Sequence, residues 1–114
     1  MLIVTTTLTR PSVDVPFYKV GDAWKEYVRN TYINTSMMVV DPFTPEGMVY
    51  SADELTLTLI SHWRSRADME VFLADATADA MKAARAAYSA EHGIQISFDR
   101  RVVFDEFDLE PSPT

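Results

Sequence analysis

The sequence contains no cysteine. Disulfides, thiolate nucleophiles, iron–sulfur clusters and cysteine-bound zinc are therefore excluded. Glycine occurs three times, always isolated, so there is no glycine-rich loop to cradle a phosphate. The two histidines, His62 and His92, fall on different predicted elements and leave a histidine-based metal site without a ligand set. Neither a metal nor a cofactor is expected. Positive charge is scarce: 10 basic side chains stand against 17 acidic ones, a formal net charge of −7. Such a chain repels phosphate backbones, and it carries no basic stripe to offset this. Its densest basic group, Arg64 and Arg66, has Asp68 and Glu70 beside it. Nucleic acid and anionic membrane surfaces are thus not expected partners. No apolar run approaches the length of a membrane span. The opening "MLIVTTTLTR" lacks the basic start and long apolar stretch of a signal peptide, so a cytoplasmic location is expected.

What is present is a chain of 114 residues, 47% apolar, which fits one domain with a real core. Residues 2–10 alternate and are rich in β-branched side chains. Leu2, Val4, Thr6 and Leu8 share one face; Ile3, Thr5, Thr7 and Thr9 share the other. This predicts a strand that Pro11 ends. From Val15 the apolar period becomes helical through Phe17, Val20, Trp24, Tyr27, Val28 and Thr31. Asp14 is one possible cap for this helix. Gly21 costs about 1 kcal/mol inside a helix, so a start at Asp22 is the alternative, and Asn34 is a plausible end. Residues 36–43, "SMMVVDPF", read as a second strand, and "TPEG" at 44–47 as a turn. Residues 48–54 fit either a hairpin arm or a loop.

The run "LTLTLISHW" over 55–63 alternates leucine with threonine and predicts another strand. Ser65 to Asp68 form a weak capping box ahead of a helical stripe that runs from Met69 to Ala87. A kink is expected near Asp75, with Thr77 as a second cap, and Gly93 stops the helix. Asp75 and Asp79 read as a solvated face. Residues 94–104 predict a last strand or a bulged pair of short ones. One domain over 1–107, followed by an acidic tail at 108–114, completes the division.

The order strand, helix, strand, strand, helix, strand is that of a ferredoxin-like βαββαβ sandwich, an α+β fold with a four-stranded antiparallel sheet and helices on one face. Its other face would carry Ile3, Thr5, Thr7, Thr56, Thr58, Ile60 and His62. A bare face of about 400 Å² is near what a monomer leaves uncovered. A second copy of the sheet is the expected cover, giving a homodimer with room for a small molecule between the sheets. His62 at the rim is the candidate general base or ligand-binding donor there. Trp63 points to the helix side by alternation and belongs to the core. Trp24 and Tyr27 ride on the first helix, where one aromatic of the stripe can line a cavity. Thr5, Thr7, Thr58, Ile60, His62, Trp24 and Tyr27 are the pocket candidates.

The element order and the segment "HWRSRADMEVFLAD" at 62–75 resemble the dimeric α+β barrel proteins, in particular the antibiotic-biosynthesis-monooxygenase-like group. Trp63, Arg64, Ser65, Asp68 and Phe72 carry the resemblance. It implies a barrel closed between two protomers. It also implies, as an alternative function, a cofactor-independent monooxygenase or isomerase acting on an aromatic or polyketide-like substrate. The haem-degrading members of that group use an asparagine on the first strand and a tryptophan and a histidine on the second helix. Thr5, Thr6, Thr7, Phe72, Met81 and Lys82 stand where those would fall, so haem is not expected. The opening "MLIVTTTLTRP" with "VPF" also resembles uncharacterised small proteins of marine bacteriophages, which implies no activity. A structural interaction domain using an open sheet edge or the acidic tail is the third possibility.

Overall fold

A computed structural model describes the backbone of residues 2–102 and the side chains of residues 2–97. The expected tail at 108–114 lies outside these residues. In chain order the elements are β1 (Leu2–Thr9), α1 (Asp22–Val28) running into a π-helical turn (Arg29–Ile33), β2 (Met48–Tyr50), β3 (Thr56–Trp63), α2 (Arg66–Leu73), α3 (Ala76–Glu91) and β4 (Gln95–Val102). The protein is an α+β fold. Its four strands form one antiparallel sheet in the order β2-β3-β1-β4.

The β1–β3 register sets Leu2 against Trp63, Val4 against Ser61, Thr6 against Leu59 and Leu8 against Leu57. Strand alternation puts these eight on one face. Leu2, Val4, Leu8, Leu57 and Trp63 are buried there with Val28, Tyr32, Met38 and Met69. The other face pairs Ile3 with His62, Thr5 with Ile60 and Thr7 with Thr58. Those six are half-buried.

α1 starts at Asp22, the later of the two expected positions, with Gly21 as its N-cap. Residues 10–20 instead form a strap. Arg10 holds it by donating to the carbonyls of Glu54 (2.9 Å) and Val15 (3.1 Å) and by lying 4.6 Å over the Phe17 ring. At its far side the Tyr88 hydroxyl donates to the Pro16 carbonyl over 2.6 Å.

The expected strand at 36–43 is not one. Ser36 takes a positive φ of 63°, and Asp41 folds the next residues onto itself. Its Oδ1 accepts from the Phe43 amide (2.9 Å) and its carbonyl from the Thr44 hydroxyl (2.8 Å). Only Met38 still pairs with the sheet, as an isolated bridge to Trp63. The second strand is the short β2, so residues 48–54 are the hairpin arm and turn before β3. The 44–47 turn forms as expected, with the Gly47 amide donating to the Thr44 carbonyl over 2.9 Å.

Ser65 caps α2 by accepting from the Asp68 amide. The helical stripe breaks at Ala74 and Asp75, as the sequence suggests. The cap of α3 is Asp75 rather than Thr77: its carboxylate accepts from the Thr77 amide over 2.8 Å. Gly93 closes the last turn at a φ of 73°, a conformation that costs glycine little. Among the described residues no helix is long and apolar enough to cross a membrane.

Candidate functional site

On the helix-bearing side the layers do not close completely. A cleft of about 750 Å³ lies between the sheet and the helices. Val4, Thr6 and Leu8 of β1 and Leu57, Leu59 and Ser61 of β3 form its floor. Trp24 and Val28 of α1, the strap residues Phe17 to Val20, and Met81, Lys82, Arg85 and Ala86 of α3 form its walls. Met38, Trp63, Met69 and Phe72 close its deep end. The helix faces follow from spacing. Trp24 and Val28 lie four apart on α1, and Met81, Lys82, Arg85 and Ala86 fall within little more than one turn of α3. Most of this lining is apolar, and both tryptophans of the chain belong to it.

The polar groups of the floor are two hydroxyls. Ser61 Oγ is engaged, accepting from the Trp63 indole N–H over 2.9 Å. Trp63 is only 1% exposed, so this single acceptor satisfies its one donor. Thr6 is 8% exposed and sits centrally on the floor.

The deep wall rests on a second polar cluster. The hydroxyls of Tyr27 and Tyr32 both donate to Oδ2 of Asp75, each over 2.5 Å. The π turn makes this convergence possible. In an α-helix two residues five apart point about 140° away from each other. The turn after Val28 closes on an i+5 bond, Asn34 amide to Arg29 carbonyl at 2.8 Å, which widens the helix and brings Tyr32 round toward Tyr27. Around them Trp24 stacks on Tyr27 (5.7 Å), and Tyr32 meets Trp63 and Phe72 edge-on (5.7 and 5.2 Å). Burial pushes the Tyr32 phenol well above its ordinary value, and the bond to Asp75 pushes it further. Burial alone would raise the Asp75 carboxyl. The two phenol donors and the amides of Thr77 and Ala78 outweigh it and hold the group below the usual carboxylate range. Asp75 is therefore not part of a solvated acidic face. It is a half-buried junction between α1 and α3.

The seven pocket candidates separate. Trp24 lines the cleft, and Ile60 borders it where its amide donates to the Gly47 carbonyl over 2.9 Å. Tyr27 stands behind the wall on Asp75. Thr5, Thr7, Thr58 and His62 lie on the opposite sheet face. His62 Nδ1 is buried there with no hydrogen-bond partner among the described residues. Sequence reasoning did not single out Lys82 and Arg85 as wall residues. They sit in an alanine-rich stretch, and only their spacing of three with Met81 and Ala86 alongside hinted at a shared face. Among the described residues no group of three or more His, Cys, Asp or Glu side chains is placed to hold a metal ion.

The chain matches no known family model, no curated protein and no solved structure.

Proposed function

We propose that this protein binds a small, largely apolar molecule in the cleft between its sheet and its helices. The cleft volume carries the reading: about 750 Å³ lies within the range of small-molecule sites, roughly 300–1,000 Å³. The apolar lining with few polar groups is the usual composition of such sites. Strand order, antiparallel pairing and helices over one face support a ferredoxin-like architecture for the scaffold. The test is a titration with the neutral dye Nile red, followed by dye emission and by quenching of Trp24 and Trp63. Saturable binding that Ala86→Trp abolishes supports the reading. Ala86 is exposed on α3 at the cleft wall, so a large side chain there blocks the mouth without entering the core. Binding that is absent, or unchanged in the variant, overturns it.

A second reading concerns assembly. The half-buried Ile3, Thr5, Thr7, Thr58, Ile60 and His62 support a homodimer in which two such faces stack, as in dimeric α+β barrels. A face of about 400 Å² is half of what each partner gives a standard interface, so this dimer is expected to be concentration-dependent. Light scattering over a dilution series tests it, and a mass fixed at 12.9 kDa throughout rejects it. The reading as a monooxygenase or isomerase has less support. His62 projects from the face opposite the cleft, away from the cleft tyrosines Tyr18 and Tyr50.

A further inference from the structure

Charge is distributed around the cleft against the composition of the chain. Acids outnumber bases by 17 to 10 overall. Among the described residues lining the cleft there are four bases, Lys19, Lys25, Lys82 and Arg85, and no aspartate or glutamate. None of the four forms an ion pair with a described residue; the pairs among the described residues are Arg29–Asp41 and Arg64–Asp68.

Lys82 and Arg85 are three residues apart and share one face of α3. The Lys82 ammonium is held at the wall, 5.0 Å over the ring of Phe72. Arg85 Nε is buried with no hydrogen-bond partner among the described residues. A buried guanidinium donor left unpaired costs free energy that a bound acceptor would recover. Burial also draws both groups below their ordinary values, as expected for cations held in an apolar wall. Asp79 and Asp75 act on Lys82 through space but lie beyond ion-pair distance.

We infer that the ligand of the cleft is an amphipathic anion: an apolar body over Val4, Leu8, Leu57 and Trp24, with a carboxylate or equivalent head between Lys82 and Arg85. This rests on the reading of the cleft as a ligand site and adds the chemical class. Arg85 supplies directional donors that suit a carboxylate, and Lys82 supplies a point charge.

Decanoate and 1-decanol, matched in chain and differing in the head group, test it by tryptophan quenching on the intact protein. Decanoate is expected to bind at least about ten-fold more tightly, the value of one charge-assisted hydrogen bond. Added salt should weaken decanoate and leave 1-decanol unchanged. Lys82→Met with Arg85→Met should bring decanoate to the level of 1-decanol in the same variant and abolish the salt effect, while far-ultraviolet circular dichroism reports that the fold is kept. Equal affinities in the wild type, with no salt effect, overturn the anion inference and leave the ligand-site reading standing. Loss of all binding in the wild type, Nile red included, overturns both.

Discussion

Tyr32 reaches Asp75 across the junction of two helices, its hydroxyl 2.5 Å from Oδ2, while the other carboxylate oxygen of Asp75 caps α3. One side chain thus ends one helix break and anchors another. Tyr32 is 1% exposed and Asp75 is half-buried, so the bond is partly withdrawn from water. Tyr32→Phe keeps the ring contacts with Trp63 and Phe72 and removes only the donor. A hydrogen bond to a charged group is worth about 1.5–3 kcal/mol, which predicts a melting temperature lower by roughly 6–13 °C. Thermal unfolding by circular dichroism checks this. Asp75→Ala should cost at least as much, because it also removes the N-cap of α3, worth about 1 kcal/mol. A Tyr32→Phe protein as stable as wild type would mean that the contact is made at no net gain.

The same pair sets a pH dependence with two limbs. The Asp75 carboxyl titrates lower in the folded chain than in the unfolded one. Its contribution is therefore complete above the unfolded value, about pH 4, and is lost as pH falls through the folded value. Tyr32 is raised instead, so its contribution is complete below about pH 10 and is lost as pH rises beyond that. Urea midpoints across pH should fall at both ends. Tyr32→Phe should flatten the alkaline limb, and Asp75→Asn the acid limb. Parallel curves for wild type and Tyr32→Phe above pH 10 would reject the assignment.

Much of this architecture is written locally. The two faces of β1 and β3 follow from alternation, and Trp63 lies where that alternation sends it. Ser65 before Asp68 announces α2, and the break near Asp75 is legible from the cap residues clustered there. The signals that mislead are those decided by long-range contacts. "SMMVVDPF" has the composition of a strand. Asp41 and Ser36 turn it away, and three residues, Met48 to Tyr50, take its place beside β3. The cleft is not legible for a related reason. It depends on how far α1 and α3 stand apart, and no spacing within one element reports that distance. The role of Asp75 needs the π turn, which brings two tyrosines five residues apart to the same oxygen.

Ser61 is the acceptor that lets Trp63 be buried. Its Oγ takes the indole proton over 2.9 Å, and its own contact to the Val4 carbonyl is a long 3.5 Å. Ser61→Ala leaves the indole N–H of a side chain only 1% exposed without this acceptor, a loss of about 1–3 kcal/mol. Ser61→Thr retains a hydroxyl and should recover most of it. The near-ultraviolet circular dichroism of the tryptophans and the urea midpoint together check this. A neutral Ser61→Ala would show that the indole finds another acceptor by a small rotation.

Gly47 is placed for a different reason. A β-carbon there would stand 2.4 Å from the carbonyl oxygen of Pro42 and 2.5 Å from its α-carbon, both backbone atoms. The segment 42–47 would have to open, and it carries the carbonyl that receives the Ile60 amide. Gly47→Ala should therefore cost about 1–3 kcal/mol, the usual penalty for forcing atoms into a packed site. It should also detach β2, whose three residues are exposed and pair with β3 alone. Hydrogen exchange separates the two effects. The amide of Ile60, protected by Gly47, should exchange faster in the variant while those of β1 keep their protection. Uniform acceleration across the sheet would instead mean that the loop and the core unfold as one unit.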